Sequence, residues 1–257
     1  MILRRLTKHV KDQNWFAVGL DFVIVVVGVF IGIQVSNWNA ARADLARSMQ
    51  YLERISADLS QDISTYGNRI QFWQQVSDYG LAVLDEADAG GTSLSAWELL
   101  LAYFQASQVA EFEPSNSTFE ELKSAGELGL VRDAKLRSEL AQYYNYSGIE
   151  SLRERPRYRE HVRGIIPARM QLYIWSDCYQ TDGSMQTLKA CPSPAQHPEI
   201  QVVIDRLQSS EALHEELRYW ISSLKVANLI VTDHADSARE LQAALTVQID
   251  LQRGNAQ

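Results

Sequence analysis

The first forty residues carry the longest apolar stretch of the chain. No polar side chain occurs in residues 22–33, and Asp21 is the only charged residue between Trp15 and Trp38. A bilayer core about 30 Å thick needs roughly 20 residues of helix, so the pattern predicts a transmembrane helix over residues 15–39. Trp15 and Trp38 are about 35 Å apart along such a helix, a spacing typical of membrane-interface anchors.

A helical period continues beyond this stretch. Apolar residues recur at spacings of three, four and seven, which places them on one face of a helix. They are Leu45, Met49, Leu52, Leu59, Ile63, Tyr66, Ile70 and Trp73, with Ile55 beside them. The pattern predicts a helix that extends without proline to about Ala87, with Gly67 or Gly80 as the points where it can bend.

The rest of the chain also shows helical periodicity. Residues 93–110 are mostly apolar and predict a second, buried helix. A capping-box pattern at 117–120 predicts a short helix that ends near Gly126, and Asp133 is placed to cap the next helix. A three-four spacing predicts a final long helix over residues 209–251. Because no alternating strand pattern occurs, the sequence predicts an all-α fold, in which a single transmembrane helix continues into a long-helix bundle with coiled-coil-like seams.

Charge divides the chain at the same point as hydropathy. The 257 residues have a net charge of -8 and a mean hydropathy of -0.22, which excludes the disordered, collagen-like and multi-span membrane classes. Residues 1–39 hold four basic and two acidic side chains, a sum of +2, which leaves -10 for residues 40–257. Because Lys and Arg accumulate before the span, we expect a cytoplasmic N-terminus. The acidic remainder disfavours nucleic acid as a partner.

Three regions follow from these patterns: a short basic cytoplasmic tail at 1–14, the transmembrane helix at 15–39 and an extracytoplasmic helical domain at 40–257. The alternative is a cleavable signal peptide, with Ala41-Arg42-Ala43 as its small-residue cleavage site. The long leader before the apolar core and the helical pattern that continues after it favour an uncleaved span.

Cys178 and Cys191 lie in a loop at 177–198 that is rich in Thr, Asp, Gly, Ser and Pro. Two such cysteines pair in an oxidising compartment, and we expect one disulfide. The alternative is a Cys–His metal site that includes His197, although two cysteines and one histidine at irregular spacing match no known zinc pattern. The sequence therefore predicts no metal ion and no other cofactor.

Three segments resemble a bacterial family of uncharacterised single-pass inner-membrane proteins. They are Ile-Gly-Ile-Gln-Val-Ser-Asn-Trp-Asn at 31–39, Phe-Glu-Glu-Leu-Lys-Ser-Ala-Gly-Glu-Leu-Gly-Leu-Val-Arg-Asp at 119–133, and Tyr143-Tyr144. The similarity covers the N-terminal half and leaves out the cysteine loop and the final helix. It implies a bacterial inner-membrane protein and no chemistry, and members carry an acidic residue at the position of Asp21. With the charge bias, it predicts a periplasmic C-terminal domain.

Two features predict contacts inside the membrane. Gly28 and Gly32 form a G-x-x-x-G pattern, which lets a second helix approach closely in lipid. Asp21 marks a partner or an ion path if it is buried, and the alternative is a carboxylate at headgroup depth. The expected partners are the lipid bilayer and either another membrane protein or a second copy of this chain.

One basic cluster lies outside the span. It consists of Arg153, Arg155, Arg157 and Arg159, with Arg163 beyond them. Because guanidinium groups suit phosphate and carboxylate, the cluster predicts contact with an anionic surface. The alternative is a solvated or internally paired face.

Two further patterns in the final helix carry candidate chemistry. His234 falls on the apolar face near Asp233 and Asp236, which fits a pH-sensitive or metal site, or a histidine satisfied within the fold. Ser222 and Lys225 have the Ser-x-x-Lys spacing of some acylating enzymes, but the companion motifs are absent. No complete catalytic constellation is recognised, so the sequence does not predict an enzyme.

The sequence thus predicts a membrane-anchored helical interaction protein. It would be an accessory or structural subunit of a membrane complex, or a homo-oligomer. The first alternative is a sensory module that signals through a partner, and the second is a cell-envelope enzyme.

Overall fold

The computed structural model describes residues 15–90, 93–110, 114–146, 155–183, 185–194 and 199–254, with side chains from residue 19 onward. Its helices are α1 Trp15–Asp88, α2 Ala96–Gln105, α3 Ser117–Ser124, α4 Ala134–Tyr144, α5 Arg157–Ile165, α6 Ala168–Asp177, α7 Ile200–Gln208 and α8 Glu211–Gly254. Two short strands, β1 Tyr179–Thr181 and β2 Gln186–Leu188, lie between α6 and α7. The predicted all-α fold is confirmed.

The chain divides into two compact units, Met1–Gln50 and Tyr51–Gln257. In the first unit, the described residues belong to α1, and its large apolar side chains between Leu20 and Val35 are about half exposed or more. This helix is long and apolar enough to cross a membrane, and none of its most apolar stretch is buried.

The second unit is organised by α1 and α8, which run antiparallel along each other. Arg253 Nη2 lies 2.7 Å from Glu53 Oε1 at one end of the pair. At the other end, a Cβ atom added to Gly80 would lie 2.8 Å from Ile221 Cδ1 and 3.2 Å from Leu217 Cδ1. The absence of a side chain at Gly80 therefore lets the two helices approach closely, and α1 passes through this position as one helix.

The buried face of α1 agrees with the predicted one in part, since Leu45, Met49, Ile63 and Ile70 are only half-buried. Leu52, Ile55 and Leu59 are buried as expected, and so are Tyr66 and Trp73. After Leu59, however, the buried residue is Asp62, while the predicted Ile63 is only half-buried. The prediction missed this because an aspartate does not count toward an apolar period.

Helix α2 is the buried partner that its composition predicts, although it is shorter than residues 93–110. Eight of its ten residues are buried. Ser95 and Glu98 form a capping box at its start. The buried Glu86 carboxylate accepts hydrogen bonds from the backbone N–H groups of Ser93, at 2.9 Å, and Leu94, at 3.4 Å. The capping box satisfies donors that a helix start would otherwise leave free, and Glu86 satisfies donors of the segment that precedes the helix.

The caps of the next two helices give one confirmed and one wrong prediction. Asp133 Oδ1 accepts from the backbone N–H of Lys135 at 2.8 Å and of Leu136 at 3.1 Å, so it caps α4 as expected. The predicted capping box at Ser117 is wrong, because Ser117 is already inside α3 and Asn116 precedes the helix without a side-chain cap.

The cysteine loop contains a hairpin that the sequence did not predict. Strands β1 and β2 pair antiparallel, with Gln180 opposite Thr187, and each has only three residues, which is too short to show alternation. Cys178 and Cys191 lie at disulfide distance, with Cα atoms 5.2 Å apart. Trp97 Nε1 donates to the Cys191 carbonyl oxygen at 2.8 Å. His197 lies outside the described residues.

We expect the double substitution Cys178→Ala, Cys191→Ala to lower the free energy of unfolding by about 3 kcal/mol, because a cross-link over a loop of this length restricts the unfolded chain. Urea denaturation of the purified full chain measures the change. Reduction of the unmodified chain should give a similar loss and should not affect the double variant. An unchanged denaturation midpoint would show that the cross-link does not stabilise the fold.

Candidate functional site

Three residues predicted for the membrane helix share one face of α1. At 3.6 residues per turn, Gly28 lies about 20° from Asp21 around the helix axis, and Gly32 about 40° from Gly28. A Cβ atom added to either glycine would meet no other atom within 4 Å, and Asp21 is exposed. This face of the first unit has the space for a second helix.

The two predicted interfacial residues lie at opposite ends of the apolar stretch. Trp38 is 58% exposed, and the Arg42 guanidinium carbon lies 4.6 Å from the centre of its ring. Trp15 is the first residue of α1, and its side chain lies outside the described part of the chain.

In the second unit, the Asp62 carboxylate forms the centre of a buried polar network. Asp62 is 1% exposed, and its Oδ1 accepts from the backbone N–H of Ser115 at 2.7 Å. Its Oδ2 accepts from the Tyr143 hydroxyl at 2.8 Å, and the Tyr66 and Tyr143 hydroxyls are 2.9 Å apart. One carboxylate thus joins α1, the segment before α3, and α4.

Aromatic side chains of α3 and α4 meet beside this network. The ring of Phe119 stacks on Tyr144 with centroids 4.6 Å apart, and Tyr144 also contacts Tyr143 edge to face. These rings exclude water from the polar groups beside them. Burial raises the pKa of Asp62 to about 6, although its two donors act in the opposite direction, and burial also raises the pKa of Tyr143.

His234 of α8 lies against the other side of this network. Its ring stacks on Tyr143 at a centroid distance of 4.2 Å and on Tyr146 at 5.1 Å. Burial lowers the pKa of His234 to about 4, despite the nearby Asp233, so the imidazole is neutral near pH 7. A pocket of about 490 Å³ between α4 and α8 has these three rings in its lining, together with Asp233 and Glu240.

The basic cluster is divided between solvent and the interior. Arg155 and Arg157 are exposed, and Arg153 lies outside the described residues. Arg159 is half-buried, and its Nη1 donates to the Ser107 carbonyl oxygen at 2.7 Å. Arg163, one turn further along α5, donates from Nε to Ser107 Oγ at 3.0 Å.

The Arg163 guanidinium also donates from Nη2 to Gln108 Oε1 at 3.0 Å. Its carbon lies 4.6 Å from the ring centre of Phe104 and 5.3 Å from that of Trp175. Burial, followed by repulsion from Arg159, lowers the pKa of Arg163 to about 9. Both guanidinium groups are therefore held by neutral groups of Ser107 and Gln108, and that of Arg163 also by aromatic rings.

The other candidate chemistry does not form a reactive site in the described residues. Ser222 and Lys225 are both exposed on α8, and no hydrogen bond joins them there. His214, not His234, has a hydroxyl partner: its Nε2 lies 2.8 Å from the Tyr103 hydroxyl. Among the described residues, no three histidine, cysteine, aspartate or glutamate side chains are grouped to hold a metal ion.

Two features of these sites were not predicted from the sequence. One is the burial of Asp62, and the other is that Ser107 and Gln108 accept from Arg159 and Arg163. Asp62 lies on the buried face of α1, where residues 52, 55, 59, 62 and 66 follow one another at spacings of three and four. An acidic residue inside such a period is the signal that could have identified it. Ser107 and Gln108 follow an apolar helix, and nothing local in the sequence connects them to Arg159.

Comparison of the chain with protein-family models, with curated proteins and with solved structures finds no significant match.

Asp62 and His234 should affect stability with opposite dependence on pH. Asp62, with a pKa raised from 3.8 to about 6, stabilises the fold below about pH 4, and this contribution is lost as pH rises through 6. His234, with a pKa lowered from 6.5 to about 4, stabilises the fold above about pH 6.5, and this contribution is lost as pH falls through 4.

We expect Asp62→Asn to gain stability relative to the unmodified chain as pH rises from 4 to 6.5, by about 2 kcal/mol after allowance for solvent screening. The amide can still accept from Ser115 and donate to Tyr143. His234→Phe should lose stability relative to the unmodified chain as pH rises over the same range. Urea denaturation across this pH range measures both, with Asp85→Asn, at an exposed position of α1, as the control. If the free energies of unfolding of Asp62→Asn and of the unmodified chain changed in parallel with pH, the raised pKa of Asp62 would be contradicted.

Proposed function

We propose that this protein is a single-pass bacterial inner-membrane protein that acts by interaction. Its N-terminus lies in the cytoplasm, and its helical C-terminal domain lies in the periplasm. The membrane helix pairs with a second copy of the chain or with a helix of another membrane protein. The protein is thus a structural or accessory subunit rather than a catalyst.

The open glycine face of α1 is the observation that carries this proposal. Gly28 and Gly32 leave the helix backbone accessible over one turn, and nothing lies within 4 Å of the positions that their Cβ atoms would occupy. In lipid, where apolar side chains gain nothing by leaving the hydrocarbon, helices associate through close backbone packing and small residues. Asp21 on the same face adds a polar group that is costly to leave against lipid.

The cysteine pair and the charge distribution support the orientation. Cys178 and Cys191 lie at disulfide distance, and disulfides persist in the periplasm but are rare in the cytoplasm. The excess of Lys and Arg precedes the span, in agreement with the positive-inside rule. A bacterial inner-membrane location is also what the resemblance expected from residues 31–39 and 119–133 would imply.

A sensory module remains the second candidate, on one observation. Helix α1 continues from the apolar stretch to Asp88 as one helix, and it carries Asp62 and Tyr66 of the buried network. A change in that network would act on the same helix that enters the membrane. Such a module would signal through a partner.

We expect the double substitution Gly28→Ile, Gly32→Ile to weaken association of the full chain in detergent micelles at least tenfold, because the new side chains hold the helix backbones apart. Sedimentation equilibrium measures the dissociation constant. Gly19→Ile is the matched control, since Gly19 lies about 180° from Gly28 around the helix and also has open space around it.

The same variants distinguish the two kinds of partner. If the chain is monomeric in detergent, affinity purification from membranes should recover a stoichiometric membrane protein that the double variant does not retain. A monomeric chain without such a partner would overturn the proposal. If Gly19→Ile weakened association as much as the double variant, the face that carries Gly28 and Gly32 would be excluded as the basis of helix pairing.

A further inference from the structure

Two guanidinium groups converge on one serine, with no acidic partner among the residues that the structure describes. Arg159 binds the Ser107 carbonyl oxygen, and Arg163 binds the Ser107 hydroxyl. Both arginines are half-buried, and they are one turn apart on the same side of α5. The segment that receives them is itself closed to solvent, since Ser107 is 0% exposed and Gln108 1%.

Among the described residues, every hydrogen-bond partner of these guanidinium groups is neutral. Within the part of the chain that the structure describes, no carboxylate lies within 4 Å of a nitrogen of Arg159 or Arg163. Burial lowers the pKa of Arg163, and repulsion from Arg159 lowers it further, so the two charges oppose each other. Charges taken out of water in proteins are normally paired with an opposite charge, and the described residues supply none here, although the chain as a whole is acidic.

Each of the two guanidinium groups keeps donors that it does not use within the described part of the chain. Arg159 uses Nη1 alone, and Arg163 uses Nε and Nη2, so Arg159 Nε and Nη2 and Arg163 Nη1 make no hydrogen bond among the described residues. A carboxylate has two coplanar oxygens, which match one guanidinium fork. A phosphate group has up to two negative charges and oxygens in a tetrahedral arrangement, so it can accept from two guanidinium groups at once.

We propose that Arg159 and Arg163, held by Ser107 and Gln108, bind a phosphate group. The anion neutralises two charges that repel each other and accepts from the donors that the protein leaves unused. Phe104 and Trp175, which lie against the Arg163 guanidinium, keep that fork in a fixed plane. The phosphate belongs to a free phosphate compound or to a lipid headgroup, since both present the same oxygens.

Calorimetric titration of the full chain in phosphatidylcholine nanodiscs with inorganic phosphate tests the site. We expect saturable binding that weakens as sodium chloride is added. Arg159→Gln should weaken it about tenfold or more, because a hydrogen bond to a charged group is lost. Arg159→Lys should recover only part of the affinity, because a lysine keeps the charge but not the fork.

Arg169→Gln is the matched control, since it removes the same charge from an exposed position of the next helix, α6; its phosphate affinity should stay within twofold of the unmodified chain. Circular dichroism confirms that each variant is folded. The proposal is overturned if phosphate gives no saturable heat, if Arg159→Gln binds as tightly as the unmodified chain, or if Arg169→Gln loses as much affinity.

The source of the phosphate is resolved by competition. Vesicles of phosphatidylcholine mixed with phosphatidic acid should reduce the apparent affinity for inorganic phosphate if the site takes a lipid headgroup, and pure phosphatidylcholine vesicles should not. If neither vesicle competes, the site takes a free phosphate compound. Both results support the Arg159–Arg163 site, and this test is independent of helix pairing in the membrane.

Discussion

Burial of the Asp62 carboxylate is the constraint on which the arrangement of the second unit depends. A carboxylate in a water-excluded interior needs hydrogen-bond donors, and Asp62 receives them from Ser115 and Tyr143. These donors come from segments more than fifty positions away in the chain. Satisfying one side chain therefore fixes α1, the segment before α3, and α4 together. The stacking of His234 on Tyr143 connects α8 to the same point.

Charged groups taken out of water at Arg159 and Arg163 also need hydrogen-bond partners, but the partners they find differ from those of Asp62. Asp62 is matched to its donors within the protein, so its network serves the fold. Among the described residues, the two guanidinium groups are matched to neutral oxygens, and Arg163 also to aromatic faces. These contacts hold the groups in place but supply no opposite charge. This contrast separates a polar group that completes the interior from a pair for which we propose a bound anion.

The membrane helix and the periplasmic unit proposed here follow different physical rules. In the second unit, apolar side chains leave water, and the long helices α1 and α8 bury one face against each other. In a membrane, lipid would replace water around the apolar stretch of α1, so exposed Val, Ile and Phe side chains would require no protein partner. Only small or polar positions such as Gly28, Gly32 and Asp21 would then distinguish one helix face from another, and the proposed interaction function rests on them.

The sequence by itself determined the features that depend on neighbours along the chain. The apolar stretch, the all-α class, the long terminal helix and the Asp133 cap come from local periodicity and short-range hydrogen bonding. Only the tertiary structure decided that Asp62 is buried, that the loop at 177–198 forms a hairpin and that Arg159 and Arg163 meet at Ser107. Each of these depends on contacts between distant segments. A local pattern cannot encode which distant donor or acceptor satisfies a polar side chain, because that choice is made by the packing of helices that are far apart in sequence.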